Sequence, residues 1–227
     1  MIETVEYDVA GRAFSGLLAA PASGEVRGGV LVFHGGSGLQ EHERERVRRL
    51  AARGHVAYAP DLFGEAFVDR AHGMRVIGAL VATPALRTRT AAALARLRAY
   101  PGVTHVAAIG HCFGGLAALE LARSGADLRA AVSVHGGLAT RAPARAGEVI
   151  ARVLACTGAD DPFCPRDQRV AFEDEMTAAG VDWQHHVYGG ARHGFTIAGV
   201  EQPGCAYHAL ADRRAWEATL GLLAEVM

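Results

Sequence analysis

The chain has 227 residues, half of them hydrophobic and only 7% aromatic, with a formal net charge of −1. That size and apolar content fit one large α/β domain spanning residues 1–227 around an Ala/Val/Leu core, and the near-neutral pI of about 6.8 argues against a nucleic-acid or anionic-membrane partner. The opening Met1–Glu6 has neither the basic nor the apolar segment of a secretory signal, and no apolar run approaches the roughly 18 residues of a membrane helix, so a cytoplasmic protein is expected.

Strands and helices alternate along the chain. Val5–Val9 and Ala13–Ala19 read as a hairpin turning at Gly11-Arg12, and Gly29–Phe33 is a short, wholly apolar run, as in a buried central strand. Glu41–Arg53 reads as a helix with Val47, Leu50 and Ala51 inward; Val56–Ala59 is a strand stopped by Pro60, and Pro84–Tyr100 is helical. Val103–Ile109 is a strand, followed after a Gly-rich turn by a helix with Leu116, Leu119 and Ala122 on one face. Strand Ala130–Val134, a Gly/Ala/Pro-rich connection from Gly136 to Gly147, and strand Val153–Thr157 come next. Helix Asp167–Ala179 is closed by Gly180, and strand Val181–Tyr188 and a terminal helix Tyr207–Val226 complete the order. Such alternation predicts a mostly parallel sheet with helices on both faces. Neither an internal repeat nor a dividing linker is visible.

Gly110-His111-Cys112-Phe113-Gly114 is the most informative stretch. It is a Gly-x-Cys-x-Gly turn between strand and helix, the nucleophile-elbow pattern with sulfur in place of the usual hydroxyl. Glycines flank the central residue because the turn crowds the backbone there. Cys112 would stand at the N-terminus of the following helix, where the dipole favours a thiolate. Taken alone, the pattern fits equally a small cysteine buried in a Gly-rich turn. The other cysteines, Cys156, Cys164 and Cys205, form no Cys-x-x-Cys pair, which argues against a zinc ribbon or a thioredoxin-type site and for free thiols.

A thiol nucleophile needs a base and the base an orienting acid. His193 lies in a Gly-rich loop directly after the strand ending at Tyr188, and Asp161 lies in the turn after Val153–Thr157, with Asp160 the rival acid. The order Cys112, Asp161, His193 is nucleophile, acid, histidine. His34-Gly35-Gly36-Ser37-Gly38 follows strand Gly29–Phe33 and offers backbone N–H groups free of side chains, suited to an oxyanion. Gly36 is the expected second donor beside Phe113, with Gly35 as the alternative. A phosphate loop does not fit, because no Gly-Lys-Ser/Thr follows and Gly-x-Gly-x-x-Gly breaks at Glu41. Leu39, Phe163 and Phe195 are candidate apolar pocket walls, and would be equally ordinary as core residues. No cofactor and no metal is called for; His185 and His186 are adjacent on a strand and point to opposite faces.

Gly110-His111-Cys112-Phe113-Gly114-Gly115, Ala57-Tyr58-Ala59-Pro60-Asp61-Leu62-Phe63-Gly64, Gly158-Ala159-Asp160-Asp161-Pro162-Phe163-Cys164-Pro165 and Tyr188-Gly189-Gly190-Ala191-Arg192-His193-Gly194-Phe195 together resemble the dienelactone hydrolases, from about Gly29 to the terminal helix. The resemblance implies an α/β-hydrolase fold without a separate lid domain and a Cys-Asp-His triad on Cys112, Asp161 and His193. Two positions depart from the family pattern. The glutamate that meets the resting thiol is replaced by Gly35, and the arginine four residues beyond the triad histidine, which holds the dienelactone carboxylate, is replaced by Ile197. Arg87, Arg89 and Arg192 are the alternative cations.

The expected function is hydrolysis of a small-molecule carboxylic ester or lactone, less anionic than dienelactone, by a monomer or homodimer. Cys112 would attack as thiolate, Gly36 and Phe113 would hold the oxyanion, His193 would move the proton and Asp161 would orient it. The alternative is a non-catalytic ligand receptor or a thiol redox sensor on the same fold, with Cys164 as the resolving thiol.

Overall fold

The computed structural model describes all 227 residues. Strands β1 (Glu3–Val9) and β2 (Arg12–Ala19) form the opening hairpin, followed by β3 (Gly28–Phe33), helix α1 (Glu41–Ala51) and β4 (His55–Pro60). Helices α2 (Arg70–Ala82) and α3 (Ala85–Arg98) precede β5 (Val106–His111) and α4 (Phe113–Arg123). Then come β6 (Ala130–Val134), β7 (Arg152–Gly158), α5 (Arg166–Ala178), β8 (Trp183–Tyr188), the short pair β9 (Glu201–Gln202) and β10 (Cys205–Ala206), and α6 (Ala209–Val226). The main sheet has eight strands in the order β1-β2-β4-β3-β5-β6-β7-β8. β1, β2 and β4 pair antiparallel, and every pairing from β4 through β3 to β8 is parallel.

The chain order reverses between β3 and β5, since β4 lies on one side of β3 and β5 on the other. Helices leave in opposite directions at such a point and open a crevice beyond the strand carboxyl ends. The period-two alternation of β3 shows the layering. Leu31 and Phe33 join a core with Leu86, Leu94 and Leu97 of α3 and Ala117 and Leu121 of α4. Val30 and Val32 join the opposite core with Val47 and Leu50 of α1 and Trp216 and Leu222 of α6.

Several elements differ from what the sequence predicts. The hairpin turns at Ala10-Gly11 rather than Gly11-Arg12; both residues have positive φ, 52° and 83°, which matches the twist of the flanking strands. The strand expected at Val103–Ile109 begins at Val106 and runs on to His111, up to Cys112. Helix α2 carries too little apolar periodicity to be read from sequence, with only Gly73 and Leu80 buried; it starts where Asp69 accepts the His72 N–H at 2.6 Å.

A side chain at Gly114 would drive into the carbonyls of Phe33 and His34 at the end of β3. Backbone cannot yield as a flexible side chain does. Gly114→Ala is expected to lose about 3 kcal/mol or more of stability, read from the midpoint of urea unfolding; an unchanged midpoint would show that α4 is free to move off β3.

Candidate active site

Each residue of the site sits just past the carboxyl end of a parallel strand. Gly35 and Gly36 follow β3, Cys112 follows β5, Asp161 follows β7 and His193 follows β8. Cys112 adopts φ 55° and ψ −119° between β5 and α4. That is costly for any residue but glycine, and it turns the side chain out over the crevice. The turn is feasible because a Cβ at Gly110 would overlap the Gly114 carbonyl, so neither position tolerates a side chain. The Cys112 N–H is shared between the Val134 carbonyl at 3.0 Å and Nδ1 of His135 at 3.1 Å.

His193 spans the site. Its Nε2 lies 3.1 Å from Cys112 Sγ and its Nδ1 lies 2.9 Å from Asp161 Oδ2. The other Asp161 oxygen accepts the Phe163 N–H at 2.8 Å, and the residue is buried. The rival Asp160 is exposed, with its N–H bonded to the Ala191 carbonyl at 3.0 Å, so Asp161 is the carboxylate that meets the histidine. The histidine loop is held on its far side by β9 and β10. The His193 N–H donates to the Gly204 carbonyl and the His193 carbonyl accepts from the Ala206 N–H, each at 3.1 Å. The Pro203-Gly204 dipeptide, a turn signal, is the sequence mark of that pair.

Burial by itself would push the Cys112 thiol up, but the His193 ring beside it and the N–H groups of Gly36 and Phe113 outweigh this and hold it below the usual thiol value. The same two N–H groups are the expected oxyanion donors, and Gly36 rather than Gly35 is the one aimed at sulfur. Gly35 stands beside Cys112: a Cβ there would lie 3.5 Å from the Cys112 Cβ. Burial lowers His193, yet its hydrogen bonds to Asp161 and Cys112 prevail and push it up to about 10. The geometry therefore favours a thiolate–imidazolium pair backed by a carboxylate.

His34 fixes the oxyanion loop. Its ring donates from Nδ1 to the Gly35 carbonyl at 2.8 Å and accepts the Leu62 N–H on Nε2 at 2.9 Å. Asp61 in turn accepts the N–H groups of Phe63 and Gly64 at 2.9 and 3.1 Å, which accounts for the Pro-Asp-Leu-Phe-Gly run after β4. On the crevice side, Ile77 of α2 would sit 3.5 Å from a Cβ at Gly36, and Phe67 stacks on Phe63 with ring centroids 4.6 Å apart.

The three expected pocket walls divide. Phe163 is 55% exposed and meets His193 edge-on at 5.1 Å, in position to touch a substrate. Phe195 is corrected: it is fully buried in the core, edge-on to His135 and Tyr188, because the positive φ of Gly194 turns the chain inward. Leu39 packs half-buried against the core on the α1 face. Of the alternative cations, Arg87 pairs with Glu120 at 2.8 Å, Arg192 pairs with Glu201 at 2.8 Å, and Arg89 donates to the carbonyls of Leu62 and Phe63. Cys164 is buried and its thiol is pushed up to about 11 by burial and then by Asp161, which is poor chemistry for a resolving cysteine.

A sharp strand-to-helix turn at Cys112, on a sheet reversed at β3/β5, defines an α/β-hydrolase fold. The comparisons with known proteins agree and go further. The dienelactone hydrolase family model matches residues 14–227, and the chain belongs to that family of hydrolases. Among solved structures, one described as m3DLH is 38% identical with a TM-score of 0.92, over 100% of this chain and 98% of that one. A dienelactone hydrolase-like promiscuous phosphotriesterase from metagenomic libraries is 40% identical with a TM-score of 0.91, over 100% and 98% respectively. An uncharacterised protein of Caenorhabditis elegans is 35% identical over 148 residues, 62% of this chain and 93% of its own length. No helix is long and apolar enough to cross a membrane.

The alkylation profile of the thiols tests the electrostatics. Cys112 is expected to react with iodoacetamide ahead of the buried Cys156 and Cys164, with a pH midpoint below the ~8.5 of a free thiol. His193→Ala removes the main lowering cause and leaves burial, so the midpoint should rise. A midpoint unmoved by His193→Ala, followed by mass spectrometry of the Cys112 peptide, would refute the pair.

Proposed function

We propose that this protein hydrolyses small neutral carboxylic esters or lactones through a Cys112-Asp161-His193 triad. The observation that carries the reading is the run of contacts from Cys112 Sγ to His193 Nε2 at 3.1 Å and from His193 Nδ1 to Asp161 at 2.9 Å, on a residue turned outward at positive φ. The Cys112 thiolate attacks the carbonyl carbon, and the resulting oxyanion is met by the Gly36 and Phe113 N–H groups. Collapse expels an alkoxide that takes its proton from the His193 imidazolium, leaving a thioester on Cys112. His193, now neutral, takes a proton from water, whose oxygen attacks the thioester, and the thiolate leaves. Asp161 holds the ring tautomer and stabilises its charged form throughout. Neither a metal nor a cofactor enters these steps.

The preference for a neutral substrate follows from charge. A bound carboxylate wants a fixed, bidentate cation, yet position 197 is Ile197 and the three alternative arginines are each engaged elsewhere. Phosphotriesters are a second class, favoured by the 40% identity with a promiscuous phosphotriesterase, and they too are uncharged.

Cys112→Ala should abolish ester turnover with the fold intact; activity within about tenfold of wild type would reassign the nucleophile, since removing one normally costs several orders of magnitude. Asp161→Asn should cost far more kcat than Asp160→Asn, because only the partner of His193 sets its tautomer. On a paired panel, the neutral ester should be turned over at least as well as its carboxylate-bearing analogue. Ile197→Arg should move the preference toward the anion by about 1.5–3 kcal/mol. Strong preference of the wild type for the anion would overturn this part of the reading.

A further inference from the structure

A second set of histidines lies directly beneath the triad. His135, at the end of β6, is fully buried and is one of only three non-glycine residues with positive φ, at 40°; Cys112 is another. Strain of this kind persists only where the surroundings over-determine it, and it gathers at working sites. The contacts of His135 supply that determination. Nδ1 faces the Cys112 N–H at 3.1 Å, and Nε2 faces the Thr196 hydroxyl at 2.9 Å. Thr196 Oγ1 lies 3.2 Å from Nε2 of His42, whose Nδ1 lies 3.3 Å from Glu43 Oε1.

The contacts favour one proton order along this chain. A backbone N–H can only donate, so His135 Nδ1 carries no proton and Nε2 carries one, donated to Thr196. The Thr196 proton then has one acceptor, His42 Nε2, and His42 donates from Nδ1 to Glu43. Burial, with His193 and His42 nearby, holds His135 well below the usual imidazole value and so neutral. At the far end Glu43 is held below the usual carboxylate range, because its bonds to His42 and to the Gln40 N–H outweigh burial, and it is thus an acceptor. A fixed donor at one end and a fixed acceptor at the other impose the same direction on all four bonds.

The chain connects three segments that must stay in register. Cys112 precedes Phe113, one oxyanion donor. Thr196 lies on the His193 loop. Glu43 accepts the Gln40 N–H at 2.9 Å, and Gln40 closes the Gly36 loop, whose Gly35 carbonyl accepts the Gly38 N–H and whose Ser37 carbonyl accepts from the Gln40 side chain. We infer that His135, Thr196, His42 and Glu43 are positioning residues, forming a proton-ordered strap that fixes the Gly36 and Phe113 donors relative to each other. The inference rests on the proposed role of Cys112 and those two donors.

Thr196→Val keeps the shape of the side chain and removes the hydroxyl link. His193 stays held by Asp161 and by β9 and β10, so the thiolate pair should persist while the oxyanion donors drift. The expected result is a fall in kcat toward a neutral ester of about tenfold to a hundredfold, with KM and the Cys112 alkylation midpoint close to wild type; the buried His135 Nε2–H, left without its acceptor, lowers the melting temperature by a few degrees. Thr196→Ser should restore kcat. In 15N spectra of histidine-labelled wild type, His135 should show a bare Nδ1 and a protonated Nε2; a protonated Nδ1 overturns the strap, and this reading stands even if Thr196→Val fails to fold. An unchanged kcat in Thr196→Val also overturns it, as does a Cys112 alkylation midpoint that rises along with the loss of kcat. If Cys112→Ala remains active, it is the nucleophile assignment that fails; if that variant is dead while Thr196→Val is fully active, only the strap fails.

Discussion

The backbone of Cys112 is the constraint on which the rest of the site depends. Holding a β-carbon at φ 55° costs on the order of 1–3 kcal/mol, and His135 at φ 40° carries a similar cost a few ångströms away. A typical hydrogen bond contributes about 1 kcal/mol, so no single contact offsets both. The offset is collective. Cys112 N–H is shared by Val134 and His135, His135 N–H reaches the Cys156 carbonyl at 2.8 Å, and α4 is pressed against β3 and β5 through Gly110 and Gly114. Strand order, glycine placement and buried histidines thus serve one bend in the chain, and that bend presents sulfur to the crevice at the N-terminus of α4.

Electrostatics at the sulfur follow from the same placement. A thiol this enclosed would ordinarily stay protonated, since burial disfavours the charged form. Here the opposing effects are all fixed in advance: a histidine at 3.1 Å, two backbone N–H groups, and a carboxylate behind the histidine. Asp161 divides its oxygens between His193 and the Phe163 N–H, so it cannot swing away from the ring. Cys156 shows what burial does without such neighbours: its thiol is pushed up to about 12, with Tyr188 as its only lowering partner.

What was legible in the sequence is what local chain chemistry demands. Gly110 and Gly114 flank Cys112 because a Cβ at either cannot be accommodated, and Asp161 and His193 sit in turns right after strands because that is where parallel strands deliver side chains to a crevice. The misses have the opposite character. Helix α2 is half out of the core, so its periodicity is faint. His135, Thr196 and His42 lie 61 and 154 residues apart in the two bonds that join them, a pattern with no local signature. Phe195 follows His193 by two positions in a loop, where direction is set by the φ of Gly194 rather than by strand alternation, so its burial could not be read from spacing.

Two departures from the dienelactone hydrolase pattern belong together physically. The family resemblance places an acid at position 35, against the resting thiol, and a base at position 197; this chain has Gly35 and Ile197. The first change removes a negative charge from beside Cys112, where the geometry leaves no more than 3.5 Å between the β-carbons. The second removes a positive charge from the substrate side. Losing either one alone would leave an unbalanced charge in a partly buried crevice, and an isolated charge there is expensive. Losing both leaves the net charge of the crevice unchanged and leaves His193 as the cation beside the Cys112 sulfur. With no acid at position 35, the fixed neighbours that lower the Cys112 thiol are His193 and the Gly36 and Phe113 N–H groups. At position 197 the apolar Ile197 offers a ligand carboxylate no ionic partner.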